Sequence, residues 1–313
     1  MALENKNGPA KEDAFAMNGP RESPPAGQRI SIHTDEPLTQ LARFSFDWAE
    51  VLCDPSHGCM PYHRTWSMIR LLESKGAKPA GGGFFGRELA AMAQEGRCRI
   101  LLSGAADTGL AAMVLGQTRP VGIEPEFVLI DRCETTVEQN RLFARSAGFA
   151  LETHRADIRG CDCAPVQAVV AHSVLNFFDR SARQQVVDSW ARNLKPGGRL
   201  LLSQRLLSEK DQPRGPRSSA EIGRRLSTIE KAAVAAHFTA AAVAELKTAV
   251  EALWDEPLHE DRTTYSDLAD MLKQSNLTIV GSEQHHTGKS VSPLAAADSV
   301  QTIPRYEIVA VRM

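Results

Sequence analysis

The chain has 313 residues, 42% of them hydrophobic and 24% charged, which is enough apolar material for one to two domains. A formal net charge of −2 supplies no global attraction to nucleic acid or to an anionic membrane. No apolar run approaches the ~20 residues a bilayer needs, and the first residues lack the basic and apolar regions of a secretory leader, so a cytoplasmic protein is expected.

Residues 1–35 carry Gly-Pro twice and Pro24-Pro25, and read as a disordered tail. Residues 36–96 read as a helical segment. Leu38, Leu41, Phe44, Phe46, Trp48, Val51 and Leu52 give an amphipathic run, followed by a loop from Asp54 to Gly58. A second helix over Tyr62–Leu72 puts Trp66, Ile69 and Leu72 on one face; Gly81-Gly82-Gly83 breaks the pattern, and a short helix over Arg87–Gln94 is closed by Gly96.

Alternation of strands and helices occupies residues 97–208. Strands are predicted at Arg99–Ser103, Phe127–Asp131, Leu151–His154, Ala168–His172 and Arg199–Ser203, with helices at Leu110–Leu115, Thr136–Ala147 and Ser181–Asn193. Lys195-Pro-Gly-Gly198 reads as a tight turn into the fifth strand. This rhythm implies a parallel sheet with helices on both faces. Residues 209–265 read as a helical insertion: Ser218-x-x-Glu221 suggests a capping box, and an Ala-rich stretch runs to about Trp254 with a break near His237. Residues 266–313 return to the core with a helix at Ser266–Gln274 and strands at Leu277–Ser282 and Tyr306–Val311. Between those strands lies a loop of about 20 residues with Pro293 and Pro304.

Cysteines 53, 59, 98, 133, 161 and 163 include no Cys-x-x-Cys pair and are expected as reduced thiols, with no metal centre. A zinc site built on Cys161, Cys163 and a histidine is disfavoured, because structural sites take paired ligands at set spacings.

Two strand ends carry chemistry. The run Ile100–Leu102 stops at the small residues Ser103-Gly-Ala-Ala-Asp107-Thr-Gly109, and Phe127–Ile130 stops at Asp131. A nucleotide-type cofactor needs that order: close backbone after the first strand and a carboxylate for ribose hydroxyls after the second. Ala156-Asp157-Ile158, then His172-Ser173 with Leu175-Asn176-Phe177-Phe178, then Leu194-Lys-Pro-Gly-Gly198 follow in order. Taken together, residues 97–208 resemble a class I S-adenosylmethionine-dependent methyltransferase, and the final strands fit in outline. Ser-Gly-Ala-Ala-Asp with Asp131-Arg132-Cys-Glu-Thr and an upstream Tyr62-His63 resembles a bacterial subgroup acting on small molecules. The loop departs from the family's pattern: Ala106 stands at the second glycine, and Asp107 lies inside it.

The resemblance implies an α/β fold with a seven-stranded Rossmann-like sheet, mostly parallel with an antiparallel last strand, plus N-terminal helices and a helical cap. It implies S-adenosyl-L-methionine as cofactor and S-adenosyl-L-homocysteine as product. By the same resemblance, Ser103, Gly104 and Ala105 lie against the cofactor, and Asp107 is a candidate contact to its methionine part. Asp131 takes the ribose hydroxyls with Arg132 beside it, Asp157 takes the adenine amino group, and Ile158 packs on the ring. His172 and Ser173 face the transferable methyl, with His172 either a general base or an orienting donor. Tyr62, His63 and Trp66 on the covering helix suit a sulfonium through cation–π attraction. With Asn176, Phe177 and Arg205 they form the candidate acceptor site.

A nicotinamide dehydrogenase wants Gly-x-Gly-x-x-Gly, and a P-loop nucleotidase wants a lysine after the second glycine, where Leu110 stands. A non-catalytic cofactor-binding scaffold remains as an alternative. A nucleic-acid acceptor is disfavoured, since the basic stretch near residues 205–225 is short and carries little aromatic interleaving. An oxygen or nitrogen acceptor, as in a secondary metabolite, needs a base, whereas a thioether such as methionine needs none. A homodimer is compatible with the sequence.

Overall fold

The computed structural model describes residues 36–72, 82–93, 98–207, 218–255, 263–285 and 304–313. The tail at 1–35, the closing residues 94–96, the basic residues Lys210, Arg214 and Arg217, and the loop at 286–303 lie outside them.

Strands β1 (Arg99–Ser103), β2 (Glu126–Asp131), β3 (Leu151–Arg155), β4 (Val166–His172), β5 (Leu194–Arg205), β6 (Leu277–His285) and β7 (Arg305–Arg312) make one sheet of order β3-β2-β1-β4-β5-β7-β6. Pairings from β3 through β5 are parallel, and β7 runs against both β5 and β6. The chain reverses direction across the sheet between β1 and β4, which opens a crevice beyond the carboxyl ends of those strands.

Strand alternation divides the core. Ile100, Leu102, Phe127, Leu129 and Val170 face one way, against α3 (Gly82–Ala93), α4 (Gly109–Thr118) and α5 (Glu134–Ala147). Leu101, Val128, Ile130, Val169 and Leu200 face the other way, against α6 (Arg180–Asn193) and α9 (Tyr265–Gln274). Buried on both faces, these strands read as continuous apolar runs rather than alternating ones. A further apolar cluster joins α1 (Leu38–Leu52) and α2 (Met60–Leu72) to α7 (Ser219–Ala235) and α8 (Ala240–Asp255) through Phe46, Ile69, Ile229, Leu246 and Val250.

Three local expectations change. Gly82 and Gly83 open α3 instead of breaking a helix. Lys195–Gly198 lies inside β5, where Gly197 at φ +75° absorbs a register shift against β4. Ser218 caps α7 by accepting from the Glu221 N–H, while the reciprocal capping box forms at Thr264 and Asp267. The break near His237 is present, and that residue takes φ +61° between α7 and α8.

Candidate active site

The crevice floor begins where β1 ends. Gly104 has φ +63°, and a Cβ there would lie 2.7 Å from Val174 Cγ2, so the backbone turns tightly only without a side chain. The next residue, Ala105, donates its N–H to Asp131 Oδ2 at 3.0 Å, and the Cys133 N–H donates to Oδ1 at 2.8 Å. Each carboxylate oxygen therefore keeps accepting capacity, as a pair of ribose hydroxyls requires. Burial pushes the Asp131 carboxyl up, opposed by His63 and by the two backbone N–H groups. The Ala156 N–H bonds the Asp131 carbonyl at 3.1 Å, which brings the β3 loop alongside. There Ile158 is buried, and Asp157 pairs with Arg159 at 2.6 Å on the surface, which lowers its carboxyl. Arg132 is exposed and reaches the His57 carbonyl at 3.4 Å. Ala105, Asp131 and Ile158 thus meet at one sheet edge, where Asp131 keeps accepting capacity that fits ribose hydroxyls, while both oxygens of Asp157 already accept from Arg159.

Two expected cofactor contacts are otherwise engaged. The Ser103 hydroxyl accepts from Trp190 Nε1 at 2.6 Å, because residue 103 shares the sheet face of Leu101 and its side chain points into the core. Asp107 is buried, accepts from Arg70 Nε at 2.6 Å and Ser67 Oγ at 3.2 Å, and caps α4 through the Gly109 N–H at 2.8 Å. Arg70 also pairs with Glu36. The carboxylate that sequence reasoning assigned to the methionine part therefore clamps α2 to the start of α4.

The opposite side of the crevice is built from β4, β5 and β7. His172 ends β4, and Ser173 follows at φ +56°, a left-handed conformation that is costly for a non-glycine residue. Arg305, the first residue of β7, is 9% exposed. Its Nη1 lies 3.1 Å from His172 Nε2, 3.1 Å from Ser173 Oγ and 3.0 Å from Ser203 Oγ. Those three partners are neutral groups. Burial first, then Arg205, holds the Arg305 guanidinium below its ordinary value, opposed by Glu307 and Tyr62. Register places Arg205 directly across from Arg305. Burial, then Arg305 and Arg205, holds His172 well below 6.5. A neutral imidazole whose Nε2 accepts from a guanidinium has that nitrogen already engaged.

Aromatic rings line the other wall. Tyr62 stacks on Trp66 at 5.5 Å and meets Phe177 edge-on at 5.4 Å. Burial, with Asp107 and Asp131 nearby, pushes the Tyr62 phenol up. Asn176 accepts from Gln204 Nε2 at 2.7 Å. His63, expected beside Tyr62 at the acceptor, instead turns towards Cys53, with Nδ1 3.7 Å from Sγ. Arg305 escaped sequence reasoning because it stands 133 positions from His172 and only the antiparallel register of β7 unites them.

No metal centre is expected from the cysteine spacings, yet one ligand atom from each of Cys53, Cys59, His63 and Cys133 lies within 4.8 Å of the others. Cys161 and Cys163, the pair weighed from sequence, lie elsewhere, against the second core face.

Residues 104–202 match the family described as methyltransferase domain. The carboxy-S-adenosyl-L-methionine synthase of Photobacterium profundum is 28% identical over 182 residues, covering 56% of this chain and 66% of that protein, just under two thirds of its length. The magnesium protoporphyrin IX methyltransferase of Synechocystis PCC 6803, solved with bound S-adenosylmethionine, is 9% identical with a TM-score of 0.45, over 87% of this chain and 97% of that one. The mitomycin 7-O-methyltransferase MmcR is 16% identical with a TM-score of 0.46, over 88% and 66% respectively.

Proposed function

We propose that this chain, which carries a class I S-adenosylmethionine-dependent methyltransferase domain, methylates a small molecule bearing an anionic group. The observation that carries the reading is Arg305, a buried guanidinium whose hydrogen bonds go to His172, Ser173 and Ser203. A buried cation whose hydrogen-bond partners are neutral, with Arg205 opposing its charge and Glu307 the acid near it, suits a carboxylate or phosphate. The cofactor, when bound, supplies an activated methyl on a sulfonium. The protein's part is to orient and to exclude water. Asp131 holds the ribose, Gly104 and Ala105 let the backbone approach, and Tyr62, Trp66 and Phe177 give the acceptor an apolar wall.

The engaged Nε2 of His172 favours an acceptor that attacks without losing a proton. We therefore favour a thioether, such as that of a sulfur amino acid, with its carboxylate on Arg305. The direct test is a panel of sulfur amino acids and of phenolic, carboxylic and amine metabolites, read by mass spectrometry for the gain of one CH2. Methylation of thioether carboxylates supports the reading. Methylation of uncharged phenols or amines alone defeats it. Tight binding of S-adenosylmethionine with no turnover on any acceptor points to the scaffold alternative.

A second reading follows from the relative whose name is carboxy-S-adenosyl-L-methionine synthase. The anion on Arg305 would then belong to a carboxylated sulfonium nucleoside rather than to the acceptor. Calorimetry separates the two. Arg305→Met leaves S-adenosylmethionine affinity unchanged in either case, and weakens the carboxylated form only in the second.

A further inference from the structure

Three cysteines and a histidine converge where α1, α2 and the β2–α5 loop meet, beside the Asp131 carboxylate to which the Cys133 N–H donates. Cys53 follows the last turn of α1, Cys59 immediately precedes α2, His63 lies in the first turn of α2, and Cys133 is the residue before α5. The segment between Cys53 and Cys59 is folded back on itself. Asp54 accepts from the Ser56 N–H at 2.9 Å, and Gly58 takes φ +61°, so two cysteines six positions apart face the same point.

The spacings suit one tetrahedral ion. Cys53 Sγ is 3.5 Å from Cys133 Sγ and 3.7 Å from His63 Nδ1. Ligand bonds of ~2.3 Å for sulfur and ~2.0–2.1 Å for nitrogen place tetrahedral neighbours roughly 3.5–3.8 Å apart. The environment suits thiolates as well. Cys133 is 1% exposed, sits at the N-terminus of α5 and makes no side-chain capping bond to it, so its sulfur lies where a helix favours negative charge. The Thr135 hydroxyl lies 3.2 Å from Cys53 Sγ and can donate to it. All six cysteines are free thiols.

We propose that Cys53, Cys59, His63 and Cys133 bind a single zinc ion. With four protein ligands and no open position, the site is structural. It ties the helical segment that carries Tyr62 and Trp66 to the loop that follows Asp131. The proposal stands on these four side chains and is independent of which acceptor is methylated. Three cysteines must be thiolates and the histidine neutral, so binding releases protons and contributes directly to folding.

The test uses full-length protein purified from zinc-supplemented cells without chelator. Mass spectrometry of the metal should give about one zinc per chain. Replacement by cobalt should give the thiolate charge-transfer and strong visible bands of a tetrahedral site. Cys133→Ser and Cys53→Ser should each lose most of the metal, and the double variant Cys161→Ser/Cys163→Ser should keep it. If the single variants do not fold, a mercurial titration of the unaltered protein with a chromogenic zinc dye reads the same site. There, zinc should be released in step with the loss of three thiols. Wild-type protein that carries no zinc and gives no tetrahedral cobalt spectrum overturns the proposal. So does a Cys53–Cys133 disulfide in the freshly purified chain, or zinc retained by both single variants.

Discussion

The two halves of the crevice are made from different materials. The half formed by β1, β2 and β3 presents a carboxylate held by backbone N–H groups, and each contact is made by residues at or just beyond a strand end. The half formed by β4, β5 and β7 relies on a buried guanidinium, and its members come from distant parts of the chain. The first half is suited to a constant ligand presented the same way each time. The second holds a buried fixed charge, and the aromatic wall of Tyr62 and Trp66 from α2 with Phe177 completes the proposed acceptor site.

The sharpest way to break this division is Asp131→Ala. It removes a carboxylate positioned by two backbone donors, and S-adenosylmethionine affinity should fall by more than roughly a hundredfold by calorimetry, since hydrogen bonds to charged groups contribute about 1.5–3 kcal/mol each. Far-ultraviolet dichroism should be unchanged. Unaltered affinity would remove the ribose assignment. Arg305→Met should do the reverse, raising the KM for an anionic acceptor by roughly ten- to a hundredfold with cofactor affinity held within about twofold. A loss of cofactor binding there would merge the two halves.

Ser103→Ala probes the boundary between site and core. It leaves the Trp190 N–H without its partner, so urea unfolding should report a loss of about 1–3 kcal/mol, with S-adenosylmethionine affinity unchanged. Weaker cofactor binding without a stability change would return Ser103 to the site. Phe177→Ala touches a ring that is 53% exposed, and a rise in acceptor KM of about three- to tenfold is expected.

His172→Asn should change least, with turnover kept within about tenfold if no proton is transferred through it. The imidazole is held neutral well below 6.5 in the folded chain, so the kcat profile should show no imidazole limb near that pH. The sign for stability follows from the same shift. An unfolded histidine takes up a proton below about 6.5 and the folded one does not, so this site subtracts stability as the pH falls through that value. The Asn variant should lack that component in urea titrations at different pH. A limb near 6.5 in the wild type that vanishes in the variant would restore a base.

What could be read from the residues follows the same split. Gly104 and Asp131 were legible because a strand, its turn and its terminal acid are adjacent in the chain, and the parallel order fixes where they meet. The seven strands were legible from apolar runs separated by turn residues. The destinations of Ser103 and Asp107 were not, since which face a strand-end side chain takes depends on Trp190 and Arg70, which come from other elements. Arg305 was hidden by the crossing from β5 to β7. The cysteine cluster was hidden because Cys133 lies 80 positions from Cys53, although Cys53, Cys59 and His63 within eleven residues were a signal at hand.

Strand β7 enters the sheet at the edge where β1, β2 and β4 leave it. Those parallel strands set their functional residues on outgoing loops, so altering such a loop also alters the connection to the next helix. Arg305 stands at an entrance instead, with the whole of β7 still to follow. Under the proposed function, the acceptor's anion therefore meets a residue at a strand entrance and not one on a strand-to-helix connection.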